Sequence, residues 1–186
     1  VLTTVGADRI ITLDLHAPAI QGFFNIPVDH LTALDLISDY LKSKNIPNPV
    51  VVSPDAGRAS TAEKLANNLH APFAIMIKKR PQHNESVITH VIGEVGGHTP
   101  IIIEDLIDTG STIVNVVESL KERGAEDAIV CATHPVFSKP AIERLSHPNI
   151  REVVVTDSIF QPDLDEGRFH VISVAPMLAE ATRIIT

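Results

Sequence analysis

Ile101-Ile102-Ile103-Glu104-Asp105-Leu106-Ile107-Asp108-Thr109-Gly110-Ser111-Thr112 is the stretch whose reading decides the fold. Its apolar start predicts a buried strand over residues 100–103. Two carboxylates follow the strand, and a turn of small, hydroxyl-bearing residues then opens a helical pattern over 112–123 that Gly124 stops. Backbone N–H groups at such a helix start, together with Thr109, Ser111 and Thr112, can cradle a monophosphate. Glu104 and Asp105 can accept hydrogen bonds from vicinal ribose hydroxyls or hold a divalent ion. Glycine at 110 lets the backbone approach a phosphate with no side chain in the way. An acidic N-cap beside a helix dipole explains Thr109 or Asp108 singly. It does not explain the whole string.

Outward from this unit, the same alternation repeats. Apolar runs predict strands over 9–13, 50–52, 74–77, 128–132, 152–156 and 170–174. Helical spacing predicts helices over 31–41, 60–69, 139–145 and 177–184. Strands separated by helices, with near-continuous apolar strands, imply an α/β fold: a mainly parallel twisted sheet with helices on both faces. Ligands of such sheets collect at the carboxyl ends of strands, where the polar residues of interest fall. Residues 81–86, Pro-Gln-His-Asn-Glu-Ser, read as an exposed, mobile loop.

Composition narrows the function. The chain has 186 residues, 44% hydrophobic and 20% charged, which suits one compact domain with a piece of a second. A net charge of −8 with 4% aromatics argues against a nucleic-acid partner. No apolar run approaches a membrane span, and the first nine residues lack the pattern of a signal peptide. The single cysteine, Cys131, lies in an apolar run and reads as core; it excludes an internal disulfide framework and fits a reducing, cytoplasmic setting.

The string around Glu104 to Thr112 resembles the phosphoribosyl diphosphate loop shared by type I phosphoribosyltransferases and the ribose-phosphate diphosphokinases. Further stretches resemble the diphosphokinases in particular: Asp14-Leu15-His16, Ile20-Gln21-Gly22-Phe23-Phe24, Pro27-Val28-Asp29-His30-Leu31, Val52-Ser53-Pro54-Asp55-Ala56-Gly57, Phe73-Ala74-Ile75-Met76-Ile77-Lys78-Lys79-Arg80-Pro81, Thr133-His134-Pro135-Val136-Phe137-Ser138 and Met177-Leu178-Ala179-Glu180-Ala181. The resemblance implies a type I phosphoribosyltransferase-like fold and transfer of diphosphate from ATP to the C1 hydroxyl of ribose 5-phosphate, with Mg²⁺ as cofactor. It assigns His16 and Asp55 to the magnesium and the ATP phosphates. Lys78 and Arg80, with Asn84 beside them, would clamp the diphosphate as the catalytic pair. Asp105 and Asp108, with Glu104 alongside, would bind ribose hydroxyls, and Asp108, Thr109, Gly110, Ser111 and Thr112 the 5-phosphate. Gln21 and Asp29 match a regulatory phosphate or nucleotide site between the subunits of a homo-oligomer. His134 reads as a structural strand-end histidine.

Chains of that family are longer, so residues 1–33 read as the remnant of a first domain and 34–186 as a nearly whole second one. The missing part supplies adenine contacts and much of the oligomer interface in the family. The chain alone is therefore expected to bind ribose 5-phosphate, turn over poorly and assemble weakly. Two residues depart from the motifs. Glu104 stands where aspartate is usual, and Arg58 replaces the second glycine after Asp55. That arginine either obstructs a conformation reserved for glycine or adds a phosphate contact. A type I phosphoribosyltransferase and a non-catalytic regulatory paralogue are the competing readings.

Overall fold

The computed structural model of the chain describes residues 1–82, 85–162, 164 and 167–185, with 78–82 and 85–89 described by their backbone alone. Two short strands, β1 (Ile10–Leu13) and β2 (Val28–Leu31), pair in parallel as a sheet of their own, joined by a 3₁₀ turn at Pro18–Phe23. The body follows as α1 (Leu34–Ser43), β3 (Pro49–Ser53), α2 (Ala59–Leu69), β4 (Phe73–Gln82), β5 (Glu85–Ile92), β6 (Thr99–Ile107), α3 (Ser111–Glu122), β7 (Ala128–Pro135), α4 (Ala141–Leu145), β8 (Ile150–Thr156), β9 (Phe169–Ile172) and α5 (Ala175–Ile185). Its seven strands run in the order β5-β4-β3-β6-β7-β8-β9. Every pairing is parallel except β4 with β5.

Period-two alternation divides the strand side chains between two cores. Val51, Ile101, Ile103, Ile129, Cys131 and Val154 pack against α1 and α2 through Ile37, Leu41, Ala62 and Leu65. Val50, Val52, Ile102, Val130, Val153 and Val155 pack on the other face with α3 and α4. The buried residues of α3, Ile113, Val116, Val117 and Leu120, keep the spacing of one helical face. At about 1.5–3 kcal/mol for each fully buried aliphatic side chain, this stripe anchors the helix whose start forms the proposed phosphate cradle.

The chain moves outward from β3 to β4 by way of α2, and in the opposite direction from β6 to β7 by way of α3. Neighbours β3 and β6 are therefore the strands where the winding reverses, and their following helices lie on opposite faces. Such a reversal opens a crevice at the carboxyl ends of the two strands.

Three expectations change. Leu31 ends β2, so the helix expected from residue 31 begins at Leu34. The loop expected over 81–86 is strand at both ends, since Gln82 of β4 pairs with Glu85 of β5. Proline at 81 falls within a register irregularity between Lys79 and Gln82, where a missing N–H is tolerated. The third is length: β6 and β7 run on past 103 and 132 to Ile107 and Pro135. Among the described residues no helix is long and apolar enough to cross a membrane.

Candidate functional site

The crevice between β3 and β6 is a cleft of about 360 Å³, lined by His16, Asp55, Arg58 and the continuous run from Glu104 to Ile113. That size lies within the range of small-molecule sites.

Asp105 shares the strand face of Ile101 and Ile103, the one covered by α2, and its side chain is only 7% exposed. Its Oδ1 accepts the N–H of Leu106 at 2.8 Å. Its Oδ2 accepts from Arg58 Nη2 and lies 2.7 Å from His16 Nδ1. Arg58 immediately precedes α2, which aims its side chain across the cleft, and its Nε stands 3.8 Å from Glu104 Oε2. His16 Nδ1 is also 3.0 Å from Arg58 Nη2. One ring nitrogen cannot serve both neighbours at once: protonated it donates to Asp105, bare it accepts from the guanidinium.

Asp55 acts on this arrangement from behind. Its Oδ1 accepts the N–H groups of Gly57 at 2.9 Å and Arg58 at 3.3 Å, capping the turn that leads into α2. The φ of Arg58 is −100°, so the turn needs no glycine there. Of the two readings of this replacement, the conformational obstacle falls away. Arg58 is the site residue whose role the sequence left undecided. Its signal was a lone cation three residues after Asp55, opposite a Glu-Asp pair that has no cation in its own loop.

The strand-to-helix turn expected in this stretch is formed. Gly110 takes φ +74°, turning β6 into α3. The helix has no side-chain cap, and its first internal bond is Val114 N–H to Gly110 O. The N–H groups of Ser111, Thr112 and Ile113 thus have no acceptor inside the helix, and the helix dipole adds positive potential there. Thr109 Oγ1 and Ser111 Oγ are 3.3 Å apart, Arg144 Nη1 donates to Thr109 O at 3.0 Å, and Asp108 is exposed at the rim.

His134 is structural, as read from the sequence. Its Nε2 donates to Leu13 O and Asp14 O at 3.0 and 3.2 Å, tying β1 to the end of β7. Asp14 Oδ2 reinforces the tie by accepting from Thr133 Oγ1 and Ala33 N. Gln21 and Asp29 do not line the cleft. Gln21 Nε2 donates to Pro18 O, while Asp29 accepts a two-pronged pair from Arg9 that holds its carboxyl below the usual range. The backbone of Lys78 and Arg80 lies in β4, which continues past the end of its pairing with β3 at Ile75 and so projects beyond the carboxyl edge of the sheet. The side chains of Lys78 and Arg80, and all of Asn84, lie outside the described residues.

The pair assigned to magnesium does not fit a divalent ion as it stands. His16 faces Asp105 rather than Asp55, Arg58 already bonds that carboxylate, and Asp55 Oδ1 caps a turn. Among the described residues no three His, Cys, Asp or Glu side chains converge as metal ligands.

Known proteins resemble this chain in sequence and in fold. The ribose-phosphate pyrophosphokinase of Bacillus cereus is 49% identical over 181 residues, an alignment covering 97% of this chain and 57% of that protein. The crystal structure of phosphoribosylpyrophosphate synthetase from Mycobacterium smegmatis superposes with a TM-score of 0.88 at 42% identity, covering 99% of this chain and 60% of that one. The chain thus spans less than two thirds of the relatives' length. Adenine phosphoribosyl transferase from Trypanosoma brucei, at 17% identity and a TM-score of 0.51, shares the fold over 81% of this chain and 74% of that one. The motif resemblance and the expected fold class are borne out. The description that matches residues 53–186 is the phosphoribosyl synthetase-associated domain, and the chain belongs to that family.

Proposed function

We propose that the chain binds ribose 5-phosphate in the β3–β6 cleft as part of a ribose-phosphate diphosphokinase. The observation that carries this reading is the uncapped start of α3 beside the carboxylates of β6, in one cleft. Three N–H groups without an acceptor inside the helix, with the hydroxyls of Thr109, Ser111 and Thr112, suit a dianionic phosphate. Asp108, exposed at the rim, suits a ribose hydroxyl.

The reaction is in-line attack of the C1 hydroxyl on the β-phosphorus of ATP. A new O–P bond forms as the bond from that phosphorus to the oxygen it shares with the α-phosphorus breaks; AMP leaves with the electron pair, and the hydroxyl proton passes to solvent. Such chemistry asks for positioning and charge neutralisation rather than a nucleophilic side chain. Lys78, Arg80 and Asn84, on and just after the projecting end of β4, would meet the diphosphate, and His16 the nucleotide phosphates. Magnesium, a homo-oligomeric state and a cytoplasmic setting belong to the same proposal, the ion arriving with the nucleotide rather than on a pair formed by His16 and Asp55.

Calorimetry of ribose 5-phosphate binding tests the pocket. Asp108→Ala removes a charge-assisted hydrogen bond worth about 1.5–3 kcal/mol, so affinity should fall tenfold or more. Equal affinity in both proteins would put the ribose elsewhere.

A further inference from the structure

Arg58 reaches the acceptor atoms a divalent cation would need at the floor of this cleft. Its Nη2 donates to Asp105 Oδ2 and lies 3.0 Å from His16 Nδ1, while its Nε stands 3.8 Å from Glu104 Oε2. The guanidinium side chain is 19% exposed, against 13% for Glu104 and 7% for Asp105. The group is therefore shielded from the salt that would weaken an ion pair at the surface. An oxygen lone pair engaged by an N–H is not available to a metal. Guanidinium also presents its donors in a fixed fork, which suits carboxylate oxygens. The backbone that carries it is fixed as well, because Asp55 Oδ1 accepts the N–H of Arg58 itself.

We propose that Arg58 is a tethered cation that takes the place of a divalent ion at Asp105 and Glu104. The two carboxylates at the floor of the cleft are partly neutralised by the chain's own residue, and free metal binds there only when Arg58 is removed. Phosphate binding at the α3 start would then tolerate a chelator. The inference rests on the carboxylates and the arginine alone, and it stands even if ribose 5-phosphate is not the ligand of the cleft.

The test titrates Mn²⁺ alone into the 186-residue chain and follows free Mn²⁺ by electron paramagnetic resonance. Removing a unit charge beside two carboxylates should tighten binding by about tenfold or more. Arg58→Gly and Arg58→Gln are both expected to show this gain, and adding Asp105→Asn to either should abolish it. Gln keeps much of the side-chain length if Gly disturbs the turn, and circular dichroism verifies the fold of each. Asp105→Asn in the otherwise native chain needs no change at Arg58 and should leave Mn²⁺ affinity within about twofold. A tenfold loss in that single variant, or no gain in folded Arg58→Gln, would overturn the proposal. Because the probe is the bare metal, failure here leaves the ribose 5-phosphate titration to be judged separately.

Discussion

Gly110 carries a conformational demand that can be tested alone. Its φ of +74° is left-handed, yet an added Cβ would meet its nearest neighbours, in Ala141, Arg144 and Leu145, only at 3.6 Å. Gly110→Ala therefore strains the backbone without a clash. A non-glycine residue held there costs about 1–3 kcal/mol, which urea denaturation should read as lost stability. No loss would mean that the loop relaxes freely. At this scale what could be read was contiguous: a strand, two carboxylates and a hydroxyl-rich turn follow one another from Glu104 to Thr112, and the structure sets that run along one cleft. The pairing of Arg58 with Asp105 could not be read, because it joins residues 47 apart in the chain. Nor could the bond of His16 to Asp105, for the same reason.

Among the elements, long apolar strands and the helices α1, α2 and α3 could be read from period alone. Strand β2 could not, since Asp29 and His30 interrupt its apolar residues and Leu31 falls in register with the helical pattern that follows. Polar residues 82–86 likewise concealed the start of β5, although Val87, Ile88 and Thr89 are good strand formers. The contact of α1 with β8 and β9 offers a clean probe, because Tyr40 is the sole tyrosine and the chain has no tryptophan. Its hydroxyl donates to Glu152 Oε1, its ring stacks on His170 at 4.2 Å, and Lys44 Nζ sits 4.6 Å from its centroid. Burial raises the Tyr40 pKa, the bond to Glu152 raises it further, and Lys44 opposes both. A raised folded value means that this contact contributes its full stability below the unfolded value near about 10 and loses it as pH climbs through the folded value. Ultraviolet titration should give a midpoint above that of free tyrosine, and Glu152→Gln should lower it. A native midpoint at or below the free value would refute the packing.

For the whole molecule, strand order was the part the sequence withheld. Placing β6 beside β3 depends on pairings between segments 50 residues apart, which local periodicity does not encode. The reversal of winding that makes the cleft is a property of that order. Cys131 reports on the integrity of the sheet, being fully buried on β7, where burial pushes its thiol well above the usual range. An aromatic disulfide reagent should react with the native chain at least about a thousandfold more slowly than with the urea-unfolded chain, given ordinary domain stability. Comparable rates would show the sheet opening far more readily than its packing implies.

The bond of His16 to Asp105 spans 89 residues, and that of Asp14 to Thr133 spans 119. Closing loops of this size costs entropy before any contact compensates, so nearby pairings such as β4 with β5 come first and distant ones later. The floor of the cleft is thus a late arrival in the assembly of the chain. A nascent or partly folded molecule would hold its sheet and its α3 turn before His16 reaches Asp105, and competence to bind at that floor would mark the end of folding.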